Sequence, residues 1–62
     1  MTTTYYIVYD EIYNILDTGI ADDIDNIINA YTNYYVFYCH KSRDYEEELQ
    51  NLKRKAEALR RR

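Results

Sequence analysis

The sequence offers few side chains that could act as a nucleophile, a general base or a metal ligand, and two of them are neighbours. Cys39 and His40 are the only cysteine and the only histidine of the chain. Adjacent residues point in different directions on a helix or a strand, so they do not form a nucleophile–base pair. A structural zinc site needs about four spaced ligands. We therefore expect no metal site and a reduced, half-buried thiol.

The acidic run Asp22-Asp23-Ile24-Asp25 could suggest a cation site. It lacks the ligand spacing and the glycine of a calcium-binding loop. The chain also has no phosphate-binding glycine loop and no nucleophile motif, and 62 residues leave little room for a pocket. These observations predict a protein that is not an enzyme, with no catalytic residues and no cofactor.

Charge is unevenly distributed along the chain. The first 40 residues carry six acidic residues and no lysine or arginine, which gives −6. Residues 41–62 carry all eight basic residues and five acidic ones, which gives +3. Average sequences mix the two signs. The asymmetry indicates a partner with a basic surface for the first segment.

Length limits the stability of the chain. A domain of this size buries only about 60% of its unfolded surface, and a lone cysteine forms no internal disulfide. We therefore predict one small domain over 1–62 and a homo-oligomer, most simply a homodimer. The amino terminus lacks a basic and apolar leader, and no apolar run approaches the roughly 20 residues of a spanning helix. These features favour a soluble, cytoplasmic protein without membrane contact, in the host cytoplasm if the protein is viral.

The amino-terminal half predicts a strand followed by a second element. β-Branched and aromatic residues over 3–9 are typical of a strand. Residues 12–17 fit either a second strand, paired through a turn at Asp10-Glu11, or a helix; we favour the hairpin. Asp17-Thr18-Gly19 is expected to end the second element and to separate it from the next one. An apolar face then predicts a helix over 20–31, capped by Asp17 or Thr18.

The carboxyl-terminal residues 43–61 predict an amphipathic helix, with Ser42 or Asp44 as cap and a tail of arginines at its negative end. Its apolar positions follow a four-three spacing, as in a coiled coil. They could dock on a second chain or on the core of their own chain. We assign four of them to self-assembly: Tyr45, Leu49, Leu52 and Leu59.

The aromatic run "YYVFYC" at 34–39 fits two structures. The four-three spacing extends backwards through Tyr38, Tyr35 and Tyr31 to Ile24, which favours a helix. The residue types favour a strand that pairs with residues 4–9. We favour the helix because no breaker separates residues 20 and 40. The predicted fold is α+β and mainly helical: a strand or hairpin followed by two helices.

Acidic residues and tyrosines together suggest a binding surface. Carboxylates could imitate a row of phosphates, and tyrosines are low-entropy anchors at interfaces. The candidate partner-binding residues are Asp10, Glu11, Asp17, Asp22, Asp23, Asp25, Tyr34 and Tyr35. In size, charge and tyrosine content, and in "YYIVYDE" and "NILDTG", the chain resembles small acidic phage-encoded inhibitors of host proteins, including anti-CRISPR and DNA-mimic proteins.

The resemblance implies a non-catalytic inhibitor that blocks a host nucleic-acid-handling protein, for example a CRISPR effector. Two alternatives remain. The charge asymmetry could serve self-assembly of a structural protein. Lys53-Arg54-Lys55 and Arg60-Arg61-Arg62 could instead contact phosphates, as in a DNA-binding regulator, although the acidic remainder would repel nucleic acid.

Overall fold

A computed structural model of the chain describes residues 3–61. The elements are β1 (Thr4–Tyr9), β2 (Ile15–Ala21), α1 (Ile24–Ala30), β3 (Tyr35–Cys39) and α2 (Ser42–Arg60). The strands form one antiparallel sheet in the order β2-β1-β3. Of the described residues, 44% are helical and 31% are in strands, so the prediction of a mainly helical fold is wrong.

The sheet is built around β1, its central strand. Its β-branched and aromatic residues suit a strand covered on both faces. Ile7 and Val8 have no exposed surface, although they point to opposite faces. The strand predicted over 3–9 is confirmed one residue shorter, as Thr4–Tyr9, and it is buried from both sides.

Each face of the sheet is covered by one helix. On one face, Tyr6, Val8 and Ala21 form a cluster against Ile24 and Ile27 of α1. On the other face, Tyr5 packs on Tyr45 of α2, with ring centroids 5.4 Å apart. Because Ile7 alternates with Tyr6 and Val8, it lies on the α2 face. The protein thus has two thin apolar layers with β1 between them.

The predicted hairpin is confirmed, but its connection is a loop over 10–14 and not a tight turn at Asp10-Glu11, and its second strand is Ile15–Ala21 and not 12–17. The expected break at Asp17-Thr18-Gly19 is wrong, since these residues pair with Val8, Ile7 and Tyr6. Gly19 serves close packing: a Cβ there would lie 3.3 Å from Tyr6 Oη. Glycine in a strand often marks such an approach.

Residues 34–39 do not form a helix. β3 occupies Tyr35–Cys39 and pairs with β1 from Tyr9 to Tyr5. The predicted helix over this run is therefore wrong, and the continuous helical register from Ile24 to Leu59 is broken by a strand. The strand preference of the aromatic and β-branched side chains prevails because β1 offers a paired edge.

Both predicted helices exist with different starts. α1 begins at Ile24, four residues after its predicted start, and its cap is Asp23, whose carboxylate accepts from the Asp25 N–H at 3.0 Å. The caps proposed at Asp17 and Thr18 are wrong, since both lie in β2. α2 matches its predicted range within a residue, although Lys41 occupies its cap position without a side-chain hydrogen bond.

The apolar seam of α2 lies on the sheet of its own chain. Leu52 is 2% exposed and Ala56 is also buried, while Tyr45, Leu49 and Leu59 are half-buried. The intramolecular alternative therefore accounts for the burial of this seam, and self-assembly through it stays a prediction. Within residues 3–61, neither helix combines the length and the apolar character that crossing a bilayer requires.

Candidate protein-binding groove

The β1–β2 hairpin loop is organised by the side chain of Asp10. Its Oδ1 accepts hydrogen bonds from the backbone N–H groups of Ile12 (3.0 Å) and Asn14 (2.9 Å). The Tyr13 N–H donates to the Asp10 carbonyl at 3.0 Å, and the Asp10 N–H donates to the Asn14 carbonyl at 3.1 Å. Aspartate commonly fixes turns in this way. Glu11 is left at the tip, exposed.

Tyr13 has a left-handed backbone conformation, with φ of 65°. Such a turn ends in a left-handed residue, for which glycine is the usual choice. A residue with a Cβ costs roughly 1–2 kcal/mol there. The Tyr13 ring stacks on Tyr9 at 6.3 Å, and Lys55 Nζ lies 5.4 Å from its centroid. These contacts offset the backbone strain.

Three tyrosines form a stack beside this loop. Tyr9 lies between Tyr13 (6.3 Å) and Tyr35 (5.5 Å), with nearly parallel rings. Tyr9 and Tyr35 are directly paired across β1 and β3, which sets their distance. Burial is the main reason that the pKa of Tyr9 is raised, with Glu48 of α2 adding to it. We refer to Tyr9, Tyr13 and Tyr35 as the tyrosine stack.

A shallow groove opens where the hairpin loop meets the loop between α1 and β3. We refer to it as the hairpin groove. It has a volume of about 370 Å³ and is lined by Asp10, Glu11, Thr32, Asn33, Tyr34 and Tyr35. A second depression of about 350 Å³ shares Asp10, Glu11 and Tyr35, and it extends to Tyr9, Tyr13 and Lys55. The groove and the tyrosine stack therefore form one continuous surface.

Tyr34 is positioned by the end of α1. Its N–H donates to the Tyr31 carbonyl at 3.2 Å, and its ring meets the Tyr31 ring edge-on at 6.2 Å. About half of its side chain still faces solvent. Tyr34 and Tyr35 therefore present aromatic surface beside the carboxylates of Asp10 and Glu11.

The structure brings together four of the eight candidate partner-binding residues: Asp10, Glu11, Tyr34 and Tyr35. Asp22, Asp23 and Asp25 lie beyond the far end of β2, where Ala21 pairs with Thr4. One strand length, roughly 20 Å, separates the two acidic groups. The acidic residues therefore do not form one continuous row.

Asp17 has a different environment from the other carboxylates. It accepts hydrogen bonds from the hydroxyls of Tyr6 (3.3 Å) and Tyr31 (3.0 Å) on the α1 face. The hydrogen bond to Asp17 raises the pKa of Tyr31, and burial, followed by the charge of Asp17, raises the pKa of Tyr6. Asp17 thus joins β1, β2 and the end of α1, which is an internal role.

The side chains of Tyr9, Tyr13 and Lys55 at this surface were missed by sequence reasoning. Tyr9 and Tyr13 stand on either side of the predicted turn, and this spacing could have indicated a pair of neighbouring rings. Nothing in the sequence indicated Lys55, which α2 brings back over the hairpin from 42 positions further along the chain.

The potentially reactive side chains have ordinary contacts. Cys39 Sγ donates to the Lys41 carbonyl at 3.4 Å, and His40 Nδ1 lies 3.4 Å from Thr4 Oγ1. Among residues 3–61, no three His, Cys, Asp or Glu side chains are grouped closely enough to hold a metal ion.

The basic residues of α2 are mixed with acidic ones. Arg43 pairs with Glu47 at 3.5 Å and Arg61 pairs with Glu57 at 2.9 Å, and both pairs are exposed. Arg60 donates to Asn14 Oδ1 at 3.2 Å and so contacts the hairpin. Arg62 lies outside the described residues. DNA binding by this helix stays a prediction.

Comparison with known proteins gives no match to a family model, to a curated protein or to a solved structure.

Proposed function

We propose that the protein is a non-catalytic protein-binding module that uses the hairpin groove to bind a basic surface of another protein. The observation that carries this proposal is the convergence of two loops distant in sequence. They place the carboxylates of Asp10 and Glu11 beside the exposed rings of Tyr34 and Tyr35.

The chemistry of the groove suits an arginine or lysine side chain. A guanidinium or ammonium group can pair with a carboxylate while it lies over an aromatic face. One such contact exists within the chain, where Lys55 Nζ lies 5.4 Å from the centroid of the Tyr13 ring. Tyrosines also lose little side-chain entropy on binding, which favours them as anchors.

Backbone strain is a second supporting observation. Left-handed conformations of residues with a Cβ are concentrated at binding sites, where the surrounding contacts hold them. Tyr13, with φ of 65°, is at the edge of this surface. Its position keeps the tyrosine stack and the carboxylates of the hairpin loop close together.

The proposed biological effect is inhibition. Proteins that handle nucleic acid have basic surfaces for phosphates, and an acidic protein bound there would exclude the nucleic acid. Asp22, Asp23 and Asp25, at the other end of the sheet, would steer the encounter without touching the same cation. A cytoplasmic location is part of this proposal.

The first experiment is a titration with a short arginine-rich peptide, followed by NMR chemical shifts. We expect saturable shifts at Tyr34, Tyr35 and Glu11, with affinity that falls as salt rises. Glu11→Gln should weaken binding about 3- to 10-fold, which corresponds to about 0.7–1.4 kcal/mol. A neutral peptide of the same length should not bind.

Matched variants test the location. Asp22→Asn removes the same charge as Glu11→Gln but at the far end of the sheet, and it should change the affinity less. Tyr34→Ala should weaken binding, whereas Tyr38→Ala, at a position of similar exposure (50% against 48%), should not. Equal effects of the two variants in either pair would refute binding at the hairpin groove. A pull-down from host lysate with the same variants then identifies the partner.

A further inference from the structure

β2 is an edge strand that leaves aliphatic side chains in water. The register pairs Thr18 with Ile7 and Ile20 with Tyr5, so these side chains lie on the α2 face. Helix α2 packs over β1 and β3. As a result, Ile20 remains 65% exposed; Leu16, which has no partner on β1, is 47% exposed.

We propose that β2 pairs with β2 of a second copy of this chain, antiparallel and centred on Thr18, to form a six-stranded sheet. The free backbone groups of an edge strand are a template for such pairing. The two-fold axis would pass through the Thr18 pair, perpendicular to the sheet, and would place both α2 helices on the same side.

The composition of β2 suits this pairing. An antiparallel pairing centred on Thr18 places Leu16 of each copy opposite Ile20 of the other, so that the exposed aliphatic side chains cover one another. Asp17 falls opposite Gly19, which has no side chain, so the two carboxylates are not opposed. The Asp17 carboxylate also lies on the α1 face, where two tyrosine hydroxyls already hold it.

Charge complementarity favours the same arrangement. The two-fold axis brings the end of one β2 that is followed by Asp22 and Asp23 to the end of the other that begins after Asn14. At that second end lie two cations of the helix: Arg60 donates to Asn14 Oδ1 at 3.2 Å, and Lys55 lies over Tyr13. Acidic residues of each copy therefore approach basic residues of the other.

The irregularity of β2 sets the extent of the pairing. The register shifts between Val8 and Tyr9, where Ile15 pairs with Tyr9 but Asp17 pairs with Val8, so Leu16 is an extra residue. Such a bulge ends regular pairing on its Ile15 side, so Leu16 is the last residue of β2 that would pair with the second copy. The interface strand is thus Leu16–Ile20, and no residue of the hairpin groove belongs to it.

Sedimentation velocity over a range of protein concentrations tests the proposal. The wild-type chain should reach twice its monomer mass of 7.6 kDa. Ile20→Asp should raise the dimer Kd by more than about tenfold, because it places a carboxylate opposite Leu16 of the other copy. Ile12→Asp is the matched control: Ile12 is 52% exposed in the hairpin loop, and its substitution should leave the dimer intact.

Disulfide trapping tests the register with the chain otherwise unchanged. In a Cys39→Ser background, Thr18→Cys should crosslink on mild oxidation, because directly opposed strand residues have Cα atoms about 4.5–5.5 Å apart, within disulfide reach. Ile12→Cys in the same background should not crosslink. A wild-type chain that stays monomeric, a dimer insensitive to Ile20→Asp, or equal crosslinking through both cysteines would each overturn the proposal.

Discussion

The burial of Leu52 leads to a quantitative prediction for the variant Leu52→Ala. Leu52 is 2% exposed and lies on the face of α2 that covers the sheet. The sheet face below α2 includes Ile7, which is fully buried. Truncation to alanine removes apolar contact with the sheet and leaves a cavity that so small a protein can fill only in part.

The expected loss is large relative to the total stability. Leucine to alanine at a buried site lowers the free energy of unfolding by about 2–5 kcal/mol. At about 0.05–0.15 kcal/mol per residue, a chain of 62 residues has roughly 3–9 kcal/mol in all. We therefore expect Leu52→Ala to lose about 3 kcal/mol, and Leu59→Ala, at a half-buried position, to lose about 1 kcal/mol.

Urea unfolding followed by circular dichroism measures both losses, in the Ile20→Asp background at two protein concentrations. Because the seam of α2 lies on its own sheet, the loss for Leu52→Ala should be the same at both concentrations. A loss below about 1 kcal/mol, or one that depends on protein concentration, would refute docking of α2 within the chain and would assign Leu52 to a second copy.

Two further predictions concern the α1 face and the tyrosines. Asp17→Ala should lower the free energy of unfolding by about 0.5–1.5 kcal/mol, because the part-buried hydroxyls of Tyr6 and Tyr31 lose their acceptor; thermal unfolding measures this, and an unchanged midpoint would contradict the internal role of Asp17. The raised pKa values of Tyr6 and Tyr9 predict alkaline unfolding. Unfolded tyrosines lose protons near the ordinary pKa of 10.0, so stability is complete below that pH and is lost as pH rises through the raised values. The last part of the rise in tyrosinate absorbance should coincide with the loss of the circular dichroism signal; ionisation of Tyr6 and Tyr9 at the ordinary pKa without unfolding would contradict this.

Elements with local signals were predicted well. The β-branched run of β1 and the amphipathic pattern of α2 are strong over short windows, and both were found near their expected ranges. The strand that forms β3 was weighed as an alternative that pairs with residues 4–9, but the helix was favoured because the local pattern fits it, whereas the strand depends on pairing with β1 about 30 positions earlier. A single sequence does not show whether that distant partner is available.

The candidate site shows the same division. Asp10, Glu11, Tyr34 and Tyr35 were singled out by residue type, and the β1–β3 pairing brings them to one groove. The second strand was assigned to 12–17 because Gly19 was taken for a break. β2 instead continues to Ala21, and this places Asp22 at the opposite end of the sheet from the groove. Gly19 in fact leaves room for the Tyr6 ring, which is a tertiary effect without a local signal in the sequence.

The position of β1 has a consequence for how the chain folds. β1 precedes every element that covers it, and its two buried aliphatic residues, Ile7 and Val8, depend on opposite faces of the sheet. One needs the packing of α2, which ends at Arg60, and the other needs α1. No shorter amino-terminal piece protects both, so we expect folding to be a single late event, in which local hairpin formation is fast and closure by α2 commits the chain.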